Sequence, residues 1–152
     1  MNTLYNLLSA SVVLFYILPL VMYAWTKDPF YLKAFAGYVF TTFLSEGIKH
    51  KVIRDKGDYA QRPAGAMDCN LWCNNGPQGG RPGMPSSHSA EVAYLAAVYG
   101  SHASSPQITV AWVVYALAVM FSRYAKECHT LPQIVVGTLV GLFGGWLTMR
   151  FV

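Results

Sequence analysis

Long apolar runs alternate along the chain with short polar interruptions, and one interruption is far longer than the rest. Leu4 to Trp25 is an unbroken apolar stretch, with Pro19 a candidate kink. It is long enough for the roughly 20 residues that a helical membrane span needs. The stretch lacks a basic leading segment and outruns the roughly 7–15 apolar residues of a cleavable signal, so it reads as a retained helix. Thr26-Lys27-Asp28-Pro29 is a tight polar connection, and Phe30 to Lys49 reads as the second helix. Tyr23, Trp25, Phe30 and Tyr31 flank that turn as an interfacial aromatic belt would.

Three further helices are expected, at about 88–101, 107–124 and 131–151. The first two of these are short for full spans and read as shielded by neighbours or starting in a recess. On the last, Gly137, Gly141 and Gly145 recur every four residues, a stripe that lets another backbone approach closely. Packing within one chain is the favoured use of that face; oligomerisation through it is the alternative. The fold class is therefore all-α, a polytopic membrane helical bundle of about five transmembrane helices forming one domain over residues 1–152.

From Lys51 to Met84 the apolar pattern stops. Charges, glycines and prolines take over, with turn chemistry at Asn74-Asn75-Gly76-Pro77 and Gly79-Gly80-Arg81-Pro82-Gly83. A loop of this length inside a small domain is usually functional or disordered, and its end at a histidine motif argues for function. Two expected helices separate this loop from the connection from Tyr124 to Thr130, which puts both on the same face. The two polar segments can meet there.

Composition narrows the class. Of 152 residues, 54% are hydrophobic and 12% charged, which is too apolar for an ordinary soluble domain. The net charge is +4, yet eight of the eleven Lys and Arg residues lie in Lys49 to Arg81 and Arg123 to Lys126. Such local basicity suits an anionic headgroup; a nucleic acid would call for a broad basic face. Three cysteines cannot all pair. Cys69 and Cys73, the closest two, could close a small ring in an oxidising lumen or stay as thiols in the cytosol. A metal site from Cys69, Cys73, Cys128 and His129 lacks zinc-like spacing, and none is expected.

The chemistry gathers in Pro85-Ser86-Ser87-His88 and in Ser122-Arg123 followed, after five residues, by His129. An ionisable group beside membrane helices is costly and marks a site. Phosphate chemistry needs donors for the oxygens, an in-line nucleophile and an acid for the leaving group. Arg62 and Arg123 offer planar forks, Ser86, Ser87 and the start of the third helix offer further donors, and His88 and His129 offer the acid and the nucleophile. Glu91, one turn beyond His88, either tunes that histidine or contacts the loop, and Glu46 reads as the partner of a lysine or arginine. His50 and His102 read as interfacial, and Lys126 and Glu127 as a solvated face.

These residues resemble the type 2 phosphatidic acid phosphatase superfamily, whose pattern is K-x6-R-P, P-S-G-H and S-R-x5-H-x3-D. Gly83-Met84-Pro85-Ser86-Ser87-His88-Ser89 and His129-Thr130-Leu131-Pro132-Gln133 are similar to its dolichyl diphosphate phosphatase branch. The resemblance implies a phosphatase needing no metal or cofactor, in which His129 forms a phosphohistidine, His88 protonates the leaving group, and Arg62, Arg123, Ser86 and Ser87 hold the phosphate. It implies a polyprenyl (dolichyl-type) diphosphate as substrate and an active site facing the endoplasmic reticulum lumen. The positive-inside rule would instead place the basic face in the cytosol.

The chain departs from the pattern in three places. Lys56 stands five residues rather than six before Arg62, so Lys49 at a helix end is the preferred motif lysine and Lys56 the alternative. Arg81-Pro82 duplicates Arg62-Pro63, leaving Arg81 a rival phosphate clamp. Ser87 replaces a glycine and Gln133 an aspartate; a glutamine carbonyl can still orient the His129 ring. Phosphatidate, phosphatidylglycerol phosphate or a short isoprenoid diphosphate are the alternative substrates. A catalytically silent lipid-phosphate-binding protein is the alternative class.

Overall fold

The computed structural model describes residues 2–54 and 56–151. Among them the regular structure is helical: α1 (Asn2–Ala10), a 3-10 segment (Ser11–Tyr16), α2 (Leu18–Thr26), α3 (Pro29–Gly47), a π-helical segment (Ile48–Ile53), a 3-10 turn (Asp58–Ala60), α4 (Ser87–His102), α5 (Pro106–Ala125) and α6 (Leu131–Arg150). The bundle matches the all-α expectation. The first expected helix is not continuous, however. It bends by 41° where the 3-10 segment meets α2, next to Pro19, whose ring cannot continue the upstream hydrogen-bond ladder.

Local sequence explains the other boundaries. Lys27 adopts the left-handed conformation that ends α2, and the Asp28 carboxylate then accepts from the Phe30 amide at 2.9 Å, with Pro29 opening α3. Pro106 opens α5 in the same way. Thr130 and Gln133 form a capping box at the start of α6.

α4 is the axis of the bundle, packed by α3, α5 and α6. Ala90, Val92, Tyr94 and Leu95 are fully buried. The glycine stripe of α6 lies against it: a Cβ on Gly137 or Gly141 would strike the backbone carbonyl of Ser86 or Ala90, and one on Gly145 would come within 2.8 Å of Ala97 Cβ. The stripe is thus used inside the chain. An aromatic cluster of Phe15, Tyr38 and Tyr94, with Tyr99 and Trp112 beside it, forms part of the core.

By length and composition, α5 and α6 can each cross a membrane, and the bent pair of α1 and α2 would make a third crossing. This is fewer than the expected five. α4, with 16 residues, is about 24 Å long, and it is sheathed by protein rather than lipid. Many large apolar side chains on the outer helices are exposed, including Leu117, Phe121, Leu139 and Trp146. A helical membrane bundle accounts for that surface.

Candidate active site

The long loop folds back as a plug over one end of the bundle. Arg62 and Arg81 exchange backbone contacts, with Arg62 N donating to Arg81 O at 2.8 Å and Gly80 N to Arg62 O at 3.2 Å. The two Arg-Pro dipeptides therefore lie side by side, and both arginines line one cavity of about 390 Å³. Lys126 Nζ donates to the Asp68 carbonyl at 3.0 Å, and Arg123 Nη2 to the Cys69 carbonyl at 2.6 Å. Cys69 and Cys128 form a disulfide, which leaves Cys73 as the free thiol.

That disulfide answers the question the sequence left open, between a Cys69–Cys73 ring and free thiols, with neither. Cys73 sits instead beneath α1, its thiol 3.8 Å from the Asn6 carbonyl. The partner of Cys69 comes from the other polar connection, which topology brings to the same face and sequence proximity does not reveal. The bridge also removes two of the four donors of the conceivable metal set.

His129 is buried between two fixed neighbours. Arg62 Nη1 lies 3.1 Å from its Nε2 and also donates to the Cys128 carbonyl at 3.1 Å. Gln133 Oε1 lies 3.1 Å from its Nδ1. The orientation of the Gln133 amide follows from its other end, since Nε2 donates to the carbonyls of Tyr59 at 3.1 Å and Gln61 at 2.6 Å. Oε1 must then accept the Nδ1 proton, and an arginine can only donate, so the lone pair of His129 lies on Nε2. Burial, reinforced by the charges of Arg62 and Arg123, holds this imidazole well below its ordinary pKa, in the neutral form a nucleophile needs. Gly83 permits the arrangement: a Cβ there would fall 2.8 Å from Gln133 Oε1 and 2.9 Å from Arg62 Cγ. Burial also pushes the Arg62 guanidinium down to about 10, offset in part by Glu46 and reinforced by Arg81.

His88 stands at the first turn of α4 and lines the same cavity, with its Nε2 buried and unpartnered among the described residues. The neighbouring serines divide. Ser87 lines the cavity, donates to Glu46 and accepts from Lys49 Nζ at 2.7 Å. Ser86 does not face the cavity, contrary to its expected role. It is the N-cap of α4, its hydroxyl oxygen accepting from Ser89 Oγ at 2.9 Å, while its amide donates to the Gln133 carbonyl at 3.0 Å.

The choice between the two lysines is visible in the geometry. Lys49 is 4% exposed, lines the cavity and pairs with Glu46 at 2.5 Å, whereas Lys56 is exposed on the loop and lines no part of it. Lys49 lies in the first turn of the π-helical segment, a local widening often found at functional sites, for which the sequence offers no signal. Arg123 is fully buried behind the cavity wall rather than in it, with Nε and Nη1 unpartnered among the described residues.

Glu46 also reaches His50 at 3.2 Å, and His102 stacks on Phe30 with centroids 3.6 Å apart. Among the described residues Glu91 contacts neither His88 nor the loop through a hydrogen bond. Its Oε1 accepts from Tyr16 at 2.9 Å and Thr42 at 3.0 Å. Tyr16 and Thr42 line the cavity too and were not legible as site residues, because the break in the first helix is what brings Tyr16 there.

Residues 8–152 match the family model of the PAP2 superfamily. Neither the curated proteins nor the solved structures contain a match to the chain.

Proposed function

The chain belongs to the PAP2 superfamily, and from that premise we propose that it is a membrane phosphatase that cleaves a lipid-borne phosphate through a phosphohistidine on His129. The members of the family are phosphatases, so hydrolysis of a phosphate ester is the coarse activity. The observation that carries the finer reading is the fixed, neutral His129, with its lone pair on Nε2, in the wall of a cavity shared with His88, Ser87 and three cationic side chains.

Arg62 occupies the Nε2 lone pair, so it turns to the phosphate oxygens as His129 attacks phosphorus. Ser87, Lys49 and Arg81 hold the remaining oxygens, and Arg123 contributes its unpartnered nitrogens from behind. Charge developing on those oxygens is met by donors already in place, and such preorganised donors are worth about 10²–10³ in rate apiece. His88 protonates the leaving oxygen, then takes a proton from the water that hydrolyses the phosphohistidine. No metal enters this route.

A diphosphate needs cations beyond those on the transferred group. Arg81 at the cavity rim, hydrogen-bonded through its side chain to Gln78 at 3.4 Å, supplies one and supports a polyprenyl diphosphate as substrate. The exposed apolar faces of the bundle suit its tail. A disulfide beside the site supports an oxidising compartment, in keeping with a site on the endoplasmic reticulum lumenal face.

The test is phosphate release by purified protein in detergent with EDTA, comparing a polyprenyl diphosphate, phosphatidate and the His129→Ala variant. Metal-independent release, lost in the variant and favouring the diphosphate, supports the reading. Preference for phosphatidate moves the substrate but keeps the chemistry, and no release from any substrate overturns it.

A further inference from the structure

One buried carboxyl in the cavity has no task in the chemistry above. Glu91 is 2% exposed and lines the cavity, three residues beyond His88 on α4. Its Oε1 accepts hydroxyl protons from Tyr16 and Thr42, while its Oε2 has no partner among the described residues. His88 Nε2 is likewise buried and unpartnered. Glu46, the other cavity carboxyl, is engaged by Lys49, Ser87 and His50. An unpaired buried polar atom is costly, and two of them on one helix face call for a shared explanation.

We propose that Glu91 is the proton source behind His88: it holds the proton that His88 delivers to the leaving group and takes it back when the phosphohistidine is hydrolysed. Residues three apart on a helix have β-carbons about 5–6 Å apart, so one cavity water can join the free carboxyl oxygen to the imidazole.

The steps balance. The Nε2 lone pair of His129 forms the N–P bond, and the P–O bond to the leaving group breaks with its electron pair on oxygen. That oxygen takes a proton from His88, which is replenished through the water from Glu91, leaving a carboxylate. Water then attacks phosphorus, the N–P electron pair returns to His129, and the water's proton passes to His88 and on to Glu91. Net, an ester and water give an alcohol and phosphate.

The need for such a source is electrostatic. Burial disfavours an imidazolium at His88, and the nearby charges of Arg123, Lys49 and Arg62 add to it, so a stored proton has to sit elsewhere. A carboxyl set among hydroxyls and helix walls is a place for it. The relay matters most for an alcohol leaving group, because a leaving phosphate is already a weak base. It would equip the site for lipid monoesters alongside diphosphates.

This inference rests on the phosphohistidine reading, and matched soluble esters separate the two. Wild type, Glu91→Gln, Glu91→Asp and His129→Ala are compared on p-nitrophenyl phosphate, whose leaving group departs without a proton, and p-nitrobenzyl phosphate, whose leaving group needs one. Glutamine keeps an acceptor for Tyr16 and Thr42 but cannot supply the proton. Each rate is read as kcat/KM, which ends at leaving-group departure and leaves out the hydrolysis shared by both esters. The expected result is a phenyl to benzyl ratio that rises about 10²-fold in the Gln variant, the lower end of general-acid catalysis, and is partly recovered in the Asp variant. Equal loss on both esters, or loss on neither, overturns the relay while leaving the His129 chemistry intact. Phosphate release that survives His129→Ala, or is absent from wild type, overturns the underlying reading and the relay with it. If the Gln variant does not fold, Glu91→Asp carries the comparison: a drawn-back carboxyl must penalise the benzyl ester more than the phenyl ester, and equal effects overturn the relay.

Discussion

Restoring a carboxylate at position 133, as the family pattern has there, should weaken this protein. Gln133 is fully buried and its amide works in both directions: Oε1 accepts from His129 and from the Thr130 amide at 3.3 Å, while Nε2 donates to the Tyr59 and Gln61 carbonyls. Gln133→Glu changes almost nothing in shape, yet turns the donor end into an acceptor facing two carbonyl oxygens. Each carbonyl left unsatisfied costs about 1–3 kcal/mol, so the variant should lose roughly 2–6 kcal/mol. For a domain of this size that is a fall in melting temperature of about 5–20 °C. Protonation of the introduced carboxyl restores one donor, so the deficit should shrink as the pH falls. Thermal unfolding in detergent, followed by circular dichroism over a pH series, reads both effects. A Gln133→Glu variant within about 0.5 kcal/mol of wild type at neutral pH, well inside the expected loss, would show that the amide does not hold the loop and that the orientation argument for His129 is unsound.

The disulfide and His129 give two further predictions. Thiol titration of denatured, unreduced protein should find one free cysteine of the three, and replacing Cys69 and Cys128 by serine should cost about 4 kcal/mol, given a sequence separation of 59; three titratable thiols would refute the pairing. Because the folded-state pKa of His129 is depressed, its ring should remain the neutral Nδ1–H tautomer as the pH falls through 6.5, while the unfolded chain takes up that proton and folding stability declines with acidification. Nitrogen-15 spectra of histidine-labelled protein report the tautomer, and protonation with a midpoint at or above 6.5 would contradict the buried, cation-flanked placement.

What could be read from the sequence was local. The two histidine motifs, the preference for Lys49 at a helix end and the use of Gln133 as an acceptor for His129 all follow from residues within a few positions of one another. The observed bounds of the later helices fall within one or two residues of the expected ones, at Pro106 and the Thr130 capping box among other places. The rest depended on which distant segments meet. Cys128 could be paired with Cys69 only once the long loop was known to fold onto the α5–α6 connection. Ser86 and Ser87 are chemically alike in the sequence, and only the turn of α4 decides which one caps the helix and which faces the cavity. Tyr16 enters the site through a break in a helix whose apolar pattern reads as continuous.

The distribution of charge ties the disulfide to the chemistry. Glu46 pairs with Lys49 and Glu91 is turned toward hydroxyls, so among the described residues Arg62, Arg81 and Arg123 make no ion pair with a carboxylate and bond instead to backbone carbonyls, Gln78, one histidine lone pair and, for Arg123, Cys73. Guanidinium groups gathered in this way repel one another, and burial deepens the repulsion because the interior screens poorly. Two of the three arginines ride on the loop and the third on α5, so repulsion acts to lift the loop from the helices. The Cys69–Cys128 bridge ties the loop to the connection that follows α5, and the Arg123 bond to the Cys69 carbonyl lies at the same junction. The covalent tie thereby holds the cations where a phosphate group would relieve them. On the proposed mechanism their repulsion becomes binding energy for a dianion, and the residue next to the tie is His129, the proposed nucleophile.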